Sequence, residues 1–579
     1  MANRGRWSKS ISSSTADILR VVSEVSIRHP HRQSLVPPEN DVDYSVALDT
    51  IGTGRYHLWL ALTCGFMYLA AGLQNNLNAY ILPSVHCDLH ITSAQMGLLN
   101  AVFLAGGIAS NFLWGVIADV MGRKTVIVYG MLFDGILTLC SSFSQHFYLL
   151  LIFRFLNGFV VGGPSSVVFA YMGEFFPSAD RTRWICYVGI FWTLSWVIMP
   201  GFAWMIIPLT LSVEWQGMVF NSWRLLVALM SLPSLTAAAL HLCFPESPVF
   251  LLVQGKGDKA LAILANIYAI NNKCDPSEFS VTSLKMQDKT SDSESSKDST
   301  LTVMVRQAKL LFNPSTVKIT LLSSFLFFSN MYGYYGLGLW LPELFNRITV
   351  HLDHFPNNPA TICSAGPASS TVQSPEQPFC NGTDVDTSVF IKSLVMGVIG
   401  LLGNIISGVL AGRLHRRTLP VLLMAMSGLC VVIIYFTTDL MTDLIIASAF
   451  QLTVGTANVV YNSLVVDMFP PNISGMGVCF SVLAGRLGGM LSNLAFGQLL
   501  DISCTIPIFL CALVLFAGSI VSFMIPKYPY SEREEVDSRS NTTDKRFGLV
   551  TIQTAEGKLW EKIFFNQGGI INELRRLGL

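Results

Sequence analysis

Gly115-Val-Ile-Ala-Asp119-Val-Met-Gly122-Arg123-Lys124, residues 115–124, stands between two long apolar runs. Asp119 closes one helix, and Gly122 offers the left-handed turn that terminates it. Arg123 and Lys124 then place positive charge where the next helix starts. Gly115 has no side chain and is expected to let a neighbouring helix approach closely, as small residues do inside membranes. A carboxylate and two cations in so short a turn fit a hairpin that touches the membrane surface and re-enters.

The apolar runs on either side are not alone. They recur at 57–84, 94–118, 125–144, 147–170, 184–208 and 223–243, and after a polar gap at 317–341, 388–411, 419–437, 441–463, 475–499 and 504–525. Each approaches the roughly 20 residues that a helix needs to cross a bilayer. The chain of 579 residues is 51% hydrophobic and 13% charged, where a soluble domain carries about 25% charged residues. The reading is an all-α membrane protein with twelve transmembrane helices in two six-helix bundles. Its lipid bilayer is its first partner. A net charge of zero gives no reason to expect nucleic acid.

Lys and Arg are biased toward alternate loops, which sets the orientation. Loop 2–3 holds Arg123 and Lys124, loop 4–5 Arg181 and Arg183, loop 8–9 Arg413, Arg416 and Arg417, and the 6–7 segment Lys256, Lys259, Arg306 and Lys309. The intervening loops offer His86, Asp88 and His90, or Asp439 and Asp443. Both termini are therefore expected in the cytoplasm. The division is a tail at 1–55, a bundle at 56–244, a cytoplasmic linker at 245–316, a bundle at 317–526 and a tail at 527–579. The polar, Ser/Arg-rich opening lacks the apolar region of a signal peptide. The linker includes a low-complexity polar stretch at 288–300. The loop at 345–388 falls on the luminal or extracellular side, with the sequon at Asn381 as a glycosylation site. Cys87, Cys363, Cys380 and Cys504 share that oxidising side, and four cysteines allow three pairings. Cys363–Cys380 is the favoured pair, with free or differently paired thiols as the alternative.

The second half repeats the opening string in worn form: Gly408-Val-Leu-Ala-Gly412-Arg-Leu-His415-Arg416-Arg417. Glu174-Phe-Phe-Pro177 after span 4 is likewise matched by Asp467-Met-Phe-Pro470 after span 10. Only the first copy has a basic residue, Arg181, seven positions after its carboxylate. Repeated segments in two halves are typical of transporter folds. The GxxxDxxGRK spacing strongly resembles the major facilitator superfamily, whose acidic and basic residues in loop 2–3 form a cytoplasmic latch. The resemblance implies that Gly115, Asp119, Gly122, Arg123, Lys124, Glu174, Arg181, Arg416 and Arg417 belong to such a latch, weaker in the second half. Pro245-Glu246-Ser247-Pro248-Val249-Phe250-Leu251 resembles the junction after span 6 in sugar and organic-ion porters, with Val249 in place of arginine. With Ala47-Leu48-Asp49-Thr-Ile51-Gly52 before span 1, Asn221-Ser222-Trp223-Arg224 at span 6, and Trp192, Trp204 and Ile206-Ile207-Pro208 in span 5, it looks like the synaptic vesicle glycoprotein 2 and related-protein branch. Glycoprotein members of that branch carry a large luminal domain between spans 7 and 8, and this chain has only about forty residues there.

Polar residues inside spans are costly and mark candidate solute or coupling sites. Span 1 carries Gln74, Asn75, Asn76 and Asn78 where branch relatives place acids, and amides bond a solute without titrating. Asp134 and Arg154 lie at comparable depth and could form a buried ion pair, either structural or part of proton coupling. Trp192 and Trp196, one turn apart, could stack on a solute or simply pack. Tyr332, Tyr334 and Tyr335 in a glycine-rich span 7 suit a gating, solute-lining helix, while Trp340 suits an interfacial belt. Asn458, Asn462 and Arg486 complete the set. No P-loop, nucleophile–base set, CxxC pair or metal-ligand cluster is present in the sequence, so no enzyme activity, cofactor or metal is expected. The functional expectation is a secondary carrier of a small organic ion or sugar-like solute by alternating access. The alternative is a non-transporting vesicle protein acting in trafficking or as a binding partner. A vesicle or plasma membrane would suit either, and nothing assigns protein partners to the tails.

Overall fold

The computed structural model describes residues 42–215, 217–285, 309–314, 316–354, 361–363, 387–410, 417–466, 468–470 and 473–526. Among them, eleven helices are long and apolar enough to cross a membrane. Spans 1 to 5 are Arg55–Leu89, Ser93–Met121, Arg123–Ser141, Phe147–Gly173 and Ser178–Ile206. Span 6 is two stacked pieces, Ser222–Leu229 and Ser231–Leu242. The break falls where Pro233 supplies no N–H to continue the backbone ladder. Spans 8 to 12 are Thr387–Leu410, Thr418–Phe436, Leu440–Val466, Ser474–Leu499 and Thr505–Ser522. The twelfth crossing, span 7, is Val317–His354, whose tyrosines, glycines and Asn330 lower its hydropathy.

Span 7 is longer than its apolar run, so residues 345–354, expected in a loop, are helical. The apolar stripe at 317–341 ends because Pro342, Glu343 and Arg347 follow, but none of them stops the helix. Trp340 also departs from expectation. It is fully buried and stacks on Phe496 with ring centroids 6.1 Å apart, rather than sitting at the interface.

Backbone hydrogen bonds are closed within each helix, so the lipid-facing surface can be wholly apolar. Exposed Leu58, Trp59, Tyr148, Ile445, Leu513 and Ile520 form part of that surface. The opposite faces bury the two bundles. In the first, span 1 packs on span 5, span 2 on span 4, and span 3 on span 6. In the second, span 7 packs on span 11, span 8 on span 10, and span 9 on span 12. The same partner scheme in both halves is the structural form of the sequence repeat. The bundles meet through spans 2 and 11, 5 and 8, and 1 and 7.

Two accessory layers cover the first bundle. On the face of the 2–3 loop, here the latch face, helices Tyr44–Ile51, Pro248–Val253 and Gly257–Asn272 dock together. Val42 bridges to Leu284, and Asn271 Oδ1 accepts from the Tyr56 backbone N–H at 3.1 Å. The first forty residues of the expected linker are thus built onto one bundle, and 286–308 lie outside the described residues. On the opposite face, a hairpin pairs Ser212–Trp215 with Met218–Asn221. Gln145 holds it through the N–H and carbonyl of Val219, at 3.2 and 3.1 Å.

Candidate functional site

The latch is built around Gly122, whose φ of 101° ends span 2 and opens span 3 without a side chain in the way. A Cβ there would collide with the Glu246 carboxylate. That carboxylate caps the start of span 3, accepting from Lys124 N at 2.9 Å and Thr125 N at 3.4 Å. An anion is favourable at the positive end of a helix. Arg123 turns the other way, with Nε 3.0 Å from Glu174 Oε1 and a looser 3.6 Å contact to Asp119. Its guanidinium also lies 5.7 Å from the Phe250 ring centroid. Ser247 caps Pro248–Val253 and donates to Glu174. Burial pushes the Glu174 carboxyl above the usual carboxylate range, although the Ser247 bond and Arg123 pull against it. Burial likewise raises the Tyr44 phenol, which donates to the Glu174 carbonyl at 2.5 Å.

The first bundle thus brings Asp119, Gly122, Arg123 and Glu174 of the expected latch together, and two expectations are corrected. Arg181, expected to pair with Glu174, packs its chain 3.4 Å from where a Cβ on Gly173 would stand, and Glu174 takes Arg123 instead. Gly115 does not receive a neighbouring helix, because a Cβ built there meets nothing within 4 Å. Lys124 uses its ammonium on the Leu242 carbonyl at 3.1 Å. In the second half, Arg416 lies outside the described residues, and Arg417 donates through Nε to the Ile525 carbonyl.

At mid-depth the amides of span 1 brace helices. Asn76 donates to Ser195 at 3.0 Å, Asn78 to the Leu99 carbonyl at 2.8 Å, and Asn75 to Asn76 at 3.1 Å. The ion pair that Asp134 and Arg154 could have formed is absent. Asp134 is claimed by Ser234 at 2.6 Å and Asn157 at 2.7 Å, while Arg154 donates to Gln74 at 3.3 Å. The carboxylate reaches spans 4 and 6, and the arginine is drawn toward span 1, so sequence depth alone misjudged their partners. Both lie fully buried inside the first bundle.

An aromatic group gathers near mid-depth, where Trp196 of the first bundle faces Tyr334 of the second. Trp196 meets Tyr334 at 5.4 Å, Tyr334 meets Tyr335 at 5.1 Å, and Trp192 meets Tyr68 at 5.0 Å between ring centroids. Arg486 crosses the gap to donate to the Gly107 carbonyl at 2.8 Å. Tyr332 instead points into its own bundle, 6.0 Å from Phe328. Asn462 bonds Asn458 along span 10, apart from this group. A small void lies on the far side of Trp196, bounded by Tyr80, Gly338, Leu341, Ser393 and Gln451.

Sequence reading missed the clamp on the face opposite the latch. Arg347 bonds Glu343 at 2.9 Å and Ser93 at 2.9 Å, and Ser93 donates to Asp501 at 2.8 Å. The i to i+4 spacing of Glu343 and Arg347 was the available signal. Nearby, Cys363 is bonded to Cys504, which corrects the favoured Cys363–Cys380 pair. The start of span 12 is brought to the 361–363 segment by tertiary packing, over a separation of 141 residues that no local rule reveals. Cys87 is disulfide-bonded too, and Cys380 and Asn381 lie outside the described residues.

The bundles are closely fitted at this clamped end. A Cβ on Gly97 of span 2 would stand 2.7 Å from Gly497 Cα of span 11, and, nearer mid-depth, one on Gly397 of span 8 would overlap the Trp196 carbonyl of span 5. Gly115 follows Gly97 by eighteen residues, about five turns, and so lies on the same side of span 2. Gly189 precedes Trp196 by seven residues, about two turns, in span 5. Among the described residues, a Cβ at Gly115 or Gly189 meets nothing within 4 Å, as at Gly475 near the start of span 11. One helix face is thus sealed at one end and open at the other.

Comparison with known proteins agrees with this architecture. Synaptic vesicle glycoprotein 2C of Mus musculus is 25% identical over 592 residues, covering 83% of this chain and 80% of that protein. Synaptic vesicle glycoprotein 2A of Homo sapiens is 28% identical over 327 residues, covering 53% of this chain and 44% of that protein. The inward open structure of the xylose transporter XylE from E. coli superposes with a TM-score of 0.61 at 14% identity, over 84% of this chain and all of that one. At that identity the likeness concerns the fold. Residues 64–493 match the Major Facilitator Superfamily. With that match spanning most of its length, and with eleven apolar spans and the long helix Val317–His354 among the described residues, the chain is a multi-pass membrane protein that belongs to the Major Facilitator Superfamily, a family of transporters rather than enzymes.

Proposed function

We propose that this protein is a secondary carrier that moves a small organic solute by alternating access. The latch face, both termini and the linker lie in the cytoplasm, and the clamped face lies in the lumen or outside. Bundles at 56–244 and 317–526 rock about a midplane site, in a vesicle or plasma membrane. The observation that supports this reading is the contrast along span 2: Gly97 is pressed against Gly497, while Gly115 on the same side faces open space among the described residues. Such a wedge is open toward the cytoplasm, and rocking would close Gly115 and part Gly97. Trp192, Trp196, Tyr334, Tyr335 and Arg486 line the pivot, where a solute would meet both bundles.

Purified protein in liposomes, assayed for uptake of organic ions and sugars with and without an imposed pH gradient, tests the proposal. Saturable uptake of at least one class is expected, reduced by Trp192→Ala. Flux should be indifferent to the gradient, because the span 1 amides do not titrate and Asp134 is enclosed by Asn157 and Ser234. Absence of both transport and ligand-induced stabilisation across the panel would defeat it.

A further inference from the structure

The charged side chains within the described spans differ in what surrounds them, and one of them bridges the two bundles without a carboxylate bonded to it among the described residues. Asp134 and Arg154 have opposite signs and are both enclosed in the first bundle. At the clamped end Arg347 pairs with both Glu343 and Asp501. Arg224 pairs with Asp88 at 2.8 Å near the same face. Asp443, at the start of span 10, accepts from Thr437, and Lys392 of span 8 donates to Thr349 and Ser388. Arg486 differs. It projects from the second bundle at mid-depth, and among the described residues no carboxylate pairs with it.

Its surroundings are polar and aromatic. One nitrogen is held by the Gly107 carbonyl at 2.8 Å, and Gly162 stands close enough that an added Cβ would lie 3.7 Å from that nitrogen. Its electrostatic neighbours are the hydroxyls of Tyr335 and Tyr68 and the thiol of Cys479. Tyr68 is partly exposed and lies against the partly exposed Trp192, with centroids 5.0 Å apart. An unpaired cation at the middle of a membrane protein is costly. One carbonyl dipole satisfies a single N–H and leaves the positive charge unbalanced. A guanidinium matches the two oxygens of a carboxylate with two parallel N–H bonds. The neighbouring Trp and Tyr faces suit offset stacking of a flat apolar body.

We propose that the transported solute is an organic anion, a carboxylate on a planar apolar body, bound by Arg486 with its body against Trp192 and Tyr68. This assignment rests on the carrier reading above. It also gives the solute a part in the cycle. Arg486 belongs to the second bundle and Gly107 to the first, so a carboxylate that takes over the guanidinium removes a bond holding the two together at mid-depth.

The experiment uses the full-length protein with three probes of one shape and different charge: benzoate, benzamide and benzylamine. Thermal stabilisation reports binding, and exchange of labelled probe in liposomes reports transport. Benzoate is expected to bind in preference to the other two. Arg486→Gln should weaken it about 10- to 100-fold, as expected for loss of a charge-assisted pair, while Arg486→Lys keeps part of the affinity. Retention of a cooperative melt by Arg486→Gln separates loss of binding from loss of fold. If the amide or amine is favoured, if Arg486→Gln binds benzoate like the parent, or if only sugars move, the anion assignment falls and the carrier reading stands. If no solute of any charge is bound or moved, both fall.

Discussion

Replacing Gly97 by valine should drive the protein out of the observed state, by an amount that follows from the packing. A Cβ at Gly97 stands 2.7 Å from Gly497 Cα and 2.5 Å from the Asn493 carbonyl, both backbone atoms that cannot swing aside. Overpacking of this kind costs about 1–3 kcal/mol. The state with this end parted does not bear that cost, so the ratio of the two states should shift about 5- to 150-fold. The readout follows from helix geometry. Eighteen residues along span 2 lead from Gly97 to Gly115, and eighteen back along the antiparallel span 11 lead from Gly497 to the exposed Cys479. Each path advances about 27 Å, five whole turns, so the same two faces meet there when the latch side closes. On a background lacking the exposed Cys140, Cys186 and Cys243, Gly115→Cys should cross-link to Cys479 weakly under oxidation. Adding Gly97→Val should raise the yield severalfold. A disulfide needs Cα atoms within about 7 Å, so the signal is specific to closure. Strong cross-linking without Gly97→Val, or no increase with it in a folded protein, would refute the rocking of these two helices.

Other substitutions address the latch and the clamped face. Arg123→Ala leaves Glu174 without its ion-pair partner at 3.0 Å and should cost about 1–3 kcal/mol in thermal unfolding, partly recovered by lysine. Glu246→Gln should lower the melting temperature, since the charge capping Lys124 N and Thr125 N is lost at a helix start. Glu174 holds its proton more tightly in the fold than in the unfolded chain, because burial raises its pKa. Its contribution is complete below the unfolded value of about 4.3 and is lost as pH rises through the higher folded value. The pH dependence of melting across that window should flatten in Glu174→Gln. Non-reducing peptide mapping should recover Cys363 joined to Cys504, and Cys363→Ser should cost about 2–4 kcal/mol.

The spans, their repeat and the latch turn were legible in the sequence because each depends on local chemistry. Apolar length makes a crossing, and Gly122 makes the turn whatever surrounds it. Pairings across helices were not legible in the same way. Asp134 and Arg154 have matching depth, but depth along two helices says nothing of which way each faces, and Asn157, Ser234 and Gln74 took the bonds. Glu174 found Arg123 rather than Arg181 because the turn after span 2 lies over the end of span 4. Gly115 looked like a contact glycine, and it faces open space in this state because contact also depends on which end of the wedge is shut.

By itself, then, the sequence determined a twelve-helix membrane protein of two repeated halves, with a charged turn retained in the first. Hydrophobic length and turn chemistry are properties of consecutive residues, and the bilayer leaves helices as the way for such segments to close their hydrogen bonds. Tertiary structure decided the partners: Cys363 with Cys504, Arg347 with Ser93, and Arg486 with Gly107. Those contacts join residues far apart in the chain. The disulfide needs the second bundle to pack, and the other two exist only once both bundles have met, which is a balance of interfaces that no single stretch encodes.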